Sequence, residues 1–206
     1  MLFRSNKLAG TSNVQIASDQ NIPCGGTMAH ELFMIKSAID INENGVKLKD
    51  SMKSILDLWK EMYPESLRIV LPDTYRTKPF VETVLDQEEF THSWRGFRHD
   101  SGDPDEFMDI LFTRYGREVI KNKTTIFSDA LDMTQIENLY NRYAEKTNCV
   151  FGWGTGLTNS CTIPFLNMVF KPVRVRSQKG ISYLTIKESD TPGKGLGPLE
   201  ELAKYK

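Results

Sequence analysis

The stretch GFRHDSGD, at residues 96–103, concentrates side chains that could do chemistry. A guanidinium, an imidazole, a hydroxyl and two carboxylates stand close together there, at Arg98, His99, Asp100, Ser101 and Asp103. Carboxylates can accept hydrogen bonds from sugar hydroxyls, or can hold Mg²⁺ through water because this ion prefers oxygen ligands. The stretch therefore indicates a ligand-binding site.

Other polar clusters recur along the chain at the predicted ends of strands. In sheets of parallel strands, ligands bind at the carboxyl ends of the strands. One such cluster would be weak evidence, but a series of them indicates one shared site. The further clusters are PCGGTMAHE at 23–31, PDTYRT at 72–77, SDALD at 128–132 and GWGTGLTN at 152–159.

The last of these clusters is rich in glycine. Its backbone N–H groups around Gly152, Gly154 and Gly156, with the nearby Thr155 and Thr158, could approach an anion closely, as phosphate-binding turns do. A glycine triplet alone is as often only a tight turn. A sugar phosphate with a metal ion would suit both this loop and the aspartates of the clusters, which are Asp73, Asp100, Asp103, Asp129 and Asp132.

The elements that must position these clusters alternate along the chain. Apolar, β-branched runs predict strands at 67–71, 95–99, 124–128 and 149–153. Apolar spacings of three and four predict helices between them, at 28–39, 49–63, 103–115 and 133–146. We therefore expect an α/β fold with a mostly parallel sheet, built from repeated β/α units over about residues 1–161.

The end of the chain has a different pattern. Two β-rich runs, at 167–176 and 181–189, flank SQKG and predict a hairpin, which is followed by the loop SDTPGKGLGP. Residues 162–206 therefore form a predicted β-rich tail, and no linker divides the chain, so we expect one domain over 1–206. Before the third helix, Asp103 followed by Pro104 is a helix start, because aspartate caps and proline suits the first turn.

Composition narrows the class of protein. Among 206 residues, 26 basic and 27 acidic side chains give a net charge of -1, so nothing favours nucleic acid or an anionic membrane as a partner. Three cysteines, Cys24, Cys149 and Cys161, form no CxxC pair, which argues against a disulfide framework or a zinc site. No apolar run is long enough to span a membrane and the N-terminus resembles no signal peptide, so we expect a cytoplasmic protein.

The clusters, taken in order, resemble the motifs of the nicotinate phosphoribosyltransferase family, whose members are type II phosphoribosyltransferases. The resemblance runs from about residue 8 to 194, and its combination of RHDSGDP with FSDxLD and FGxGTxLT is specific. It implies an incomplete TIM-like (β/α) barrel, because five or six β/α units are fewer than the eight that close one. The matching stretches are GTSN at 10–13, GGTMAHELF at 25–33, LPDTYRT at 71–77, GFRHDSGDP at 96–104, IFSDALD at 126–132, FGWGTGLTN at 151–159 and SDTPGK at 189–194.

The resemblance also implies a reaction. Nicotinate would displace pyrophosphate from 5-phosphoribosyl-1-pyrophosphate, giving nicotinate mononucleotide for NAD salvage, with coupled ATP hydrolysis and with Mg²⁺ held through the substrate phosphates. His30 matches the histidine that the family phosphorylates from ATP. Asp100 would hold the ribose hydroxyls and face an oxocarbenium-like transition state, and Arg98 would face the pyrophosphate or the nicotinate carboxylate.

The same family resemblance implies that further residues bind the substrate. Gly154, Thr155 and Gly156 would bind the 5-phosphate. Ser101 and Gly102 would let the backbone turn close to the ligand. The other residues that would line the substrate pocket are Asp73, Thr74, Ser128 and Asp129. Asp73 follows Pro72, where the family more often has threonine.

Several residues keep plainer interpretations. Asp103 is expected to cap its helix rather than to act in catalysis. His99 follows Arg98 and by strand alternation can point away from the site, so its role stays open. His92 is expected at the surface, and Trp59 and Trp153 are expected to pack rather than to stack on a substrate.

The family's longer chains carry a preceding part with further barrel strands, a smaller domain, an aromatic that stacks on nicotinate and a GTRR-like motif, and the sequence shows no counterpart of these. Three hypotheses follow. The chain is the catalytic portion of a split enzyme completed by a companion chain or by self-association; it is a truncated, inactive product; or it is a non-enzymatic subunit that pairs with full-length homologues. An incomplete parallel sheet would leave an open edge that favours such a partner.

Overall fold

The structure is a computed structural model that describes residues 2–4, 7–158 and 168–205. Of the residues singled out above, Asn159, Cys161 and residues 162–167 of the predicted tail lie outside the described residues, and so do the side chains of Thr155 and Thr158.

A six-stranded sheet organises the molecule, with strand order β2-β1-β6-β5-β4-β3. The strands from β3 to β6 pair in parallel, whereas β1 is antiparallel to both β2 and β6. A separate antiparallel pair is formed by β7 and β8. The strands are β1 (Leu2–Arg4), β2 (Lys7–Gly10), β3 (Ile69–Val70), β4 (Gly96–His99), β5 (Thr124–Phe127), β6 (Asn148–Gly152), β7 (Arg174–Arg176) and β8 (Ser182–Leu184).

Helices connect the strands and cover one face of the sheet. Short 3₁₀ helices at Glu65–Leu67, Asp73–Tyr75 and Ala203–Tyr205 complete the described structure. The α-helices are α1 (Val14–Gln20), α2 (His30–Asn44), α3 (Leu48–Met62), α4 (Thr77–Thr83), α5 (Gln87–Ser93), α6 (Pro104–Tyr115), α7 (Arg117–Lys121), α8 (Met133–Tyr143), α9 (Thr155–Thr158) and α10 (Leu199–Leu202).

The predicted β/α units are confirmed. The four predicted strands correspond to β3, β4, β5 and β6, and the four predicted helices to α2, α3, α6 and α8. The predicted hairpin corresponds to β7 and β8. The strands β1 and β2 were not predicted, because runs of three and four residues are too short to show an alternating pattern.

The two faces of the sheet differ in what covers them. Phe97 points toward the helices and contacts the ring of Phe90 from α5 at 4.7 Å between centroids. Arg98 points to the opposite face, where it lies in register with Ile126 of β5. On that face a small buried cluster, separate from the main core, is formed by Ile69, Ile126 and Val150.

One glycine allows two strands to approach closely. A β-carbon at Gly96 would lie 1.7 Å from the carbonyl oxygen of Thr124, so a larger residue would push β4 away from β5. The contact lies at the start of β4, three residues before His99. Gly96 thus permits the close pairing of β4 with β5, and β4 carries Arg98 to the end of the sheet.

Within the described residues the sheet does not close, since β2 and β3 are its outer strands. This agrees with the incomplete barrel that the sequence predicted. The single domain over 1–206 stays a prediction. In the described part of the chain, no helix has both the length and the apolar character to cross a membrane.

The start of α6 confirms the predicted helix cap. The Asp103 carboxylate accepts hydrogen bonds from the amides of Asp105 and Glu106, at 2.8 and 3.0 Å, and Pro104 occupies the first helical position. Such a cap satisfies amides that would otherwise lack a partner within the helix. The side chain of Asp103 therefore serves as the N-cap of α6.

We expect Asp103→Ala to lower the free energy of unfolding by about 1 kcal/mol, because it removes an N-cap acceptor. Asp103→Asn should keep most of the stability, since an amide oxygen also caps. The control is Asp109→Ala on the exposed side of α6, which should change the stability by about 0.5 kcal/mol or less. Urea unfolding measures all three, and equal stability of wild type and Asp103→Ala would contradict the prediction.

Candidate active site

A buried histidine is the centre of the site. His30 is the first residue of α2 and is only 3% exposed. Its Nδ1 lies 2.9 Å from the hydroxyl oxygen of Thr74, and its Nε2 lies 3.1 Å from Oδ2 of Asp100. The ring is therefore held from both sides, by residues 44 and 70 positions away along the chain.

The path of the chain before α2 explains how His30 reaches this place. Thr11 follows β2, and its backbone pairs with the segment at Pro23 and Gly25 through two hydrogen bonds of 3.0 Å. Because β1 is antiparallel to both β2 and β6, the end of β2 lies at the same sheet edge as the carboxyl end of β6. The segment that leads to His30 thus starts at this edge.

Asp73 is the more deeply buried of two carboxylates near His30, with 1% of its surface exposed. It lies in the 3₁₀ helix after β3, and its Oδ2 accepts a hydrogen bond of 2.6 Å from Ser101. Its Oδ1 lies 3.7 Å from His30 Nε2 and has no hydrogen-bond partner within the described residues. One oxygen of Asp73 thus remains available to a ligand or a proton.

Asp100 is the second carboxylate, and it has charged and polar partners. Its Oδ1 is 2.8 Å from the Arg98 guanidinium and accepts a hydrogen bond of 2.8 Å from Ser128. Burial alone would raise the pKa of Asp100, but the hydrogen bond with His30, the charge of Arg98 and the Ser128 hydroxyl together hold it well below its ordinary value. Asp100 is therefore ionised at neutral pH.

Arg98 links this carboxylate to the loop before α2. Its guanidinium donates hydrogen bonds to the Thr27 hydroxyl and, at 3.3 Å, to the Met28 carbonyl. The loop that carries His30 is thereby tied to the strand that carries Asp100. Arg98 and His99 point to opposite faces of the sheet, as alternation predicts.

His99 belongs to the core. It is 4% exposed, packs edge-on against Phe107 at 5.1 Å, and its Nε2 is 3.1 Å from the Gly102 carbonyl oxygen. Burial lowers the pKa of its ring, because the charged form is poorly solvated there. Its contacts are those of a packing residue. His92 is exposed and Trp59 packs against the main core, as predicted.

Residues 187–194, which we call the 187–194 segment, lie across the ends of β3, β4 and β5. The Lys187 ammonium is 3.9 Å from Oδ2 of Asp73. Thr191 accepts a hydrogen bond of 3.0 Å from the Gly102 amide, and the Lys194 ammonium is 3.6 Å from Asp129. The segment thus contacts three of the polar clusters.

Asp190 fastens the same segment to α4. Its carboxylate accepts hydrogen bonds from the Thr77 amide at 3.0 Å and the Thr77 hydroxyl at 2.5 Å. It also packs against Gly102, whose φ of +83° and 2.8 Å distance from an added β-carbon to Asp190 leave no room for a side chain. Burial raises the pKa of Asp190, the Thr77 hydrogen bonds partly oppose this, and the charge of Asp73 adds to it.

The structure brings most of the predicted site residues together. Seven converge on the His30 ring and its two carboxylates: His30, Asp73, Thr74, Arg98, Asp100, Ser101 and Ser128.

The remaining predicted residues lie at the same edge with other neighbours. Gly102 and Asp129 contact the 187–194 segment, and Gly154 is exposed in the turn after β6. The helix α9 begins at Thr155, and an added β-carbon at Gly156 would lie 3.1 Å from the indole nitrogen of Trp153. The roles assigned to all these residues stay predictions.

Sequence reasoning did not identify Lys187, Asp190 and Thr191. The only signal was the SDTPGK stretch, which contains two of them within a predicted loop that carries a family motif. Nothing in that stretch indicates which distant strands it contacts. Its place in the site depends on long-range packing.

Comparison with known proteins gives a consistent result. The sequence model of the nicotinate phosphoribosyltransferase (NAPRTase) family matches residues 3–202. A curated nicotinate phosphoribosyltransferase from Erwinia tasmaniensis is 36% identical over 194 residues, which are 92% of this chain and 45% of that protein. The chain thus spans about half the length of the curated relative it matches.

Two solved structures have the same fold. The nicotinate phosphoribosyltransferase of Porphyromonas gingivalis superposes with a TM-score of 0.83 and 32% identity, over 95% of this chain and 50% of that one. The enzyme of the same name from Vibrio cholerae gives a TM-score of 0.75 and 28% identity, over 96% and 46% of the two chains.

We expect the stability difference between wild type and Asp190→Asn to depend on pH. A carboxyl group whose pKa is raised on folding contributes stability below its unfolded pKa of about 3.9, and that contribution is lost as pH rises through the folded pKa. The free energy of unfolding of wild type minus that of Asp190→Asn should therefore fall as pH rises between these two pKa values, with a slope of about 1.4 kcal/mol per pH unit.

Urea unfolding of both proteins at a series of pH values measures this difference. Asp109→Asn, which removes an exposed carboxylate from α6, is the matched control for the loss of one charge. If the free energy of unfolding of wild type minus that of Asp190→Asn is constant or grows with pH, the pKa of Asp190 is not raised on folding.

Proposed function

The chain belongs to the nicotinate phosphoribosyltransferase family, and we propose that it carries the catalytic portion of such an enzyme. Nicotinate would displace pyrophosphate from 5-phosphoribosyl-1-pyrophosphate to give nicotinate mononucleotide, with coupled ATP hydrolysis. The observation that carries the proposal is the buried His30 ring, held between Thr74 and two carboxylates at the carboxyl edge of the sheet.

His30 is the proposed phosphoryl acceptor. A carboxylate can only accept a hydrogen bond, so the contact with Asp100 supports a proton on Nε2 and a lone pair on Nδ1. The Thr74 hydroxyl would donate to Nδ1 until ATP binds. Nδ1 would then bond to the γ-phosphorus, the bridging P–O bond would break with its electron pair, and ADP would leave, while Asp100 balances the charge of the phosphorylated ring.

Asp100 and Arg98 have proposed roles at the ribose. Departure of pyrophosphate leaves positive charge on the ribose ring, and an ionised carboxylate that is already oriented stabilises that charge without reorganising. The Asp100 carboxylate is kept ionised and oriented by Arg98, Ser128 and His30. Arg98 itself lies within reach of an anionic substrate group at the same edge.

Mg²⁺ fits this set of side chains. Asp73 and Asp100 offer carboxylate oxygens within 4.8 Å of one another, and one oxygen of Asp73 has no hydrogen-bond partner within the described residues. Mg²⁺ in such enzymes is commonly held by one or two carboxylates together with substrate phosphates. Asp73 and Asp100 would hold the ion, which would neutralise phosphate charge.

The rest of the family's fold is a proposed requirement for activity. The described part of the sheet does not close. The apolar side chains of Met168, Val169 and Phe170 are exposed. Exposed apolar surface of this kind favours contact with further protein. We propose that the other half of the fold, on the same or another chain, completes the substrate pocket. The competing hypotheses are an inactive fragment and a pairing subunit.

Nicotinate mononucleotide formation tests the proposal directly. The purified chain is incubated with nicotinate, 5-phosphoribosyl-1-pyrophosphate, Mg²⁺ and ATP, alone and with the N-terminal half of a homologue, and acid-labile protein phosphate is measured in parallel. We expect product when the other half is present. His30→Ala should abolish the protein phosphate because the acceptor is gone, and His92→Ala on the exposed side of α5 should not. Absence of product under both conditions would favour the fragment or pairing hypotheses.

Asp100→Asn should lower kcat/KM on the order of 10²–10³-fold, because it removes a carboxylate that faces the developing charge. The substitution keeps the shape of the side chain and one oxygen that can accept hydrogen bonds from Arg98 and Ser128. Asp109→Asn is the control on an exposed helix surface. A steady-state assay measures both, and an unchanged kcat/KM would exclude Asp100 from the reaction.

A further inference from the structure

Lys187 is a buried cation that the catalytic scheme does not use. It follows β8 and is 8% exposed. Its backbone pairs with Leu196 through hydrogen bonds of 3.0 and 2.7 Å, which fixes this part of the chain as a narrow loop. The side chain extends from this loop toward Asp73, so its position is set by the fold.

The Lys187 ammonium is poorly paired. Its nearest acidic atom, Oδ2 of Asp73, is 3.9 Å away, beyond hydrogen-bond distance, and that oxygen already accepts the Ser101 hydroxyl. An ammonium carries three donors, and a buried charge is costly unless its donors are satisfied. Within the described residues, no hydrogen bond of the ammonium is formed.

Lys187 is one of the residues that line a cavity. The cavity has a volume of about 1300 Å³ and lies between the start of α3, the turn after β3 and the 187–194 segment. Glu188 is the acidic residue in its lining, where it pairs with Arg76 at 2.8 Å. The basic residues in the lining outnumber it, and they are Lys47, Lys49, Arg76, Lys187 and Lys204. The cavity therefore favours anions.

The ligand that suits this ammonium is a phosphate group. An ammonium whose three donors lack partners can bond several acceptor oxygens of one phosphate, and the opposite charges strengthen these hydrogen bonds. We propose that Lys187 binds a phosphate group of a diphosphate-containing ligand beside Asp73. This rests on the proposed function, whose two sources of such a group are 5-phosphoribosyl-1-pyrophosphate and ATP.

A purely structural role for Lys187 makes a different prediction. If the ammonium only neutralised Asp73, its removal would change the stability of the protein but not its affinity for diphosphate. If it binds phosphate, its removal must weaken that affinity even in a protein that remains folded. Arginine at this position would keep the charge and part of the affinity.

Calorimetric titration with inorganic pyrophosphate tests the proposal on wild type, Lys187→Met, Lys187→Gln and Lys187→Arg. We expect at least a tenfold loss of affinity for the Met and Gln variants and a smaller loss for Arg. Lys121→Met, which removes an exposed lysine at the end of α7, should bind as wild type does. Circular dichroism selects the variants that remain folded, and Gln provides a polar replacement if Met disrupts the segment.

Two further titrations distinguish the sources of the phosphate group. A loss of affinity for 5-phosphoribosyl-1-pyrophosphate but not for an ATP analogue with a nitrogen bridge would assign Lys187 to the ribosyl substrate, and the reverse would assign it to the nucleotide. Wild-type affinity for pyrophosphate in a folded neutral variant, or no measurable pyrophosphate binding by wild type, would overturn the proposal.

The outcome is separable from that of the proposed function. Pyrophosphate binding that depends on Lys187, in a protein that forms no nicotinate mononucleotide with or without the added half, would leave this inference standing without the reaction. If the wild type forms nicotinate mononucleotide but Lys187→Gln binds pyrophosphate as tightly as the wild type, the proposed function would stand and this inference would fall.

Discussion

Two carboxylates that converge on one buried imidazole impose the main physical constraint on this structure. Asp73 and Asp100 both approach Nε2 of His30, and two such charges repel each other where water is scarce. Each therefore has its own neutralising or hydrogen-bonding partners. Asp100 contacts Arg98 and Ser128, whereas Asp73 accepts a hydrogen bond from Ser101 and lies 3.9 Å from the Lys187 ammonium.

These partners come from different parts of the chain, and the parallel sheet is what brings them together. The strands β3, β4 and β5 run side by side, so the turns that follow them lie next to one another. The loop before α2 reaches the same edge through its pairing with Thr11. A stiff sheet thus sets the distances between charges that could not be held apart by loops alone.

The 187–194 segment adds a second layer to this arrangement. It contributes a carboxylate to the start of α4 and a hydroxyl to the amide of Gly102, and so it fixes the turns after β3 and β4 from outside. The buried carboxylate of Asp190 opposes folding at neutral pH, while its hydrogen bonds favour it. Stability and site geometry are thereby coupled, because the same contacts serve both.

Local sequence was sufficient for the elements, for some of their ends and for the general place of the site. Apolar spacing identified β3 to β6 and the helices α2, α3, α6 and α8, because burial on one face repeats with the period of the backbone. The Asp103 cap was predictable for a similar reason, since its partners are only two and three residues away. The polar clusters that end the predicted strands indicated where a site should be sought.

Long-range packing, in contrast, established that the His30 ring meets Asp100 and that Lys187 is buried beside Asp73. The contacts of His30 join residues that are 44 and 70 positions apart. Such contacts depend on how whole elements pack and exclude water, and no local pattern encodes that packing.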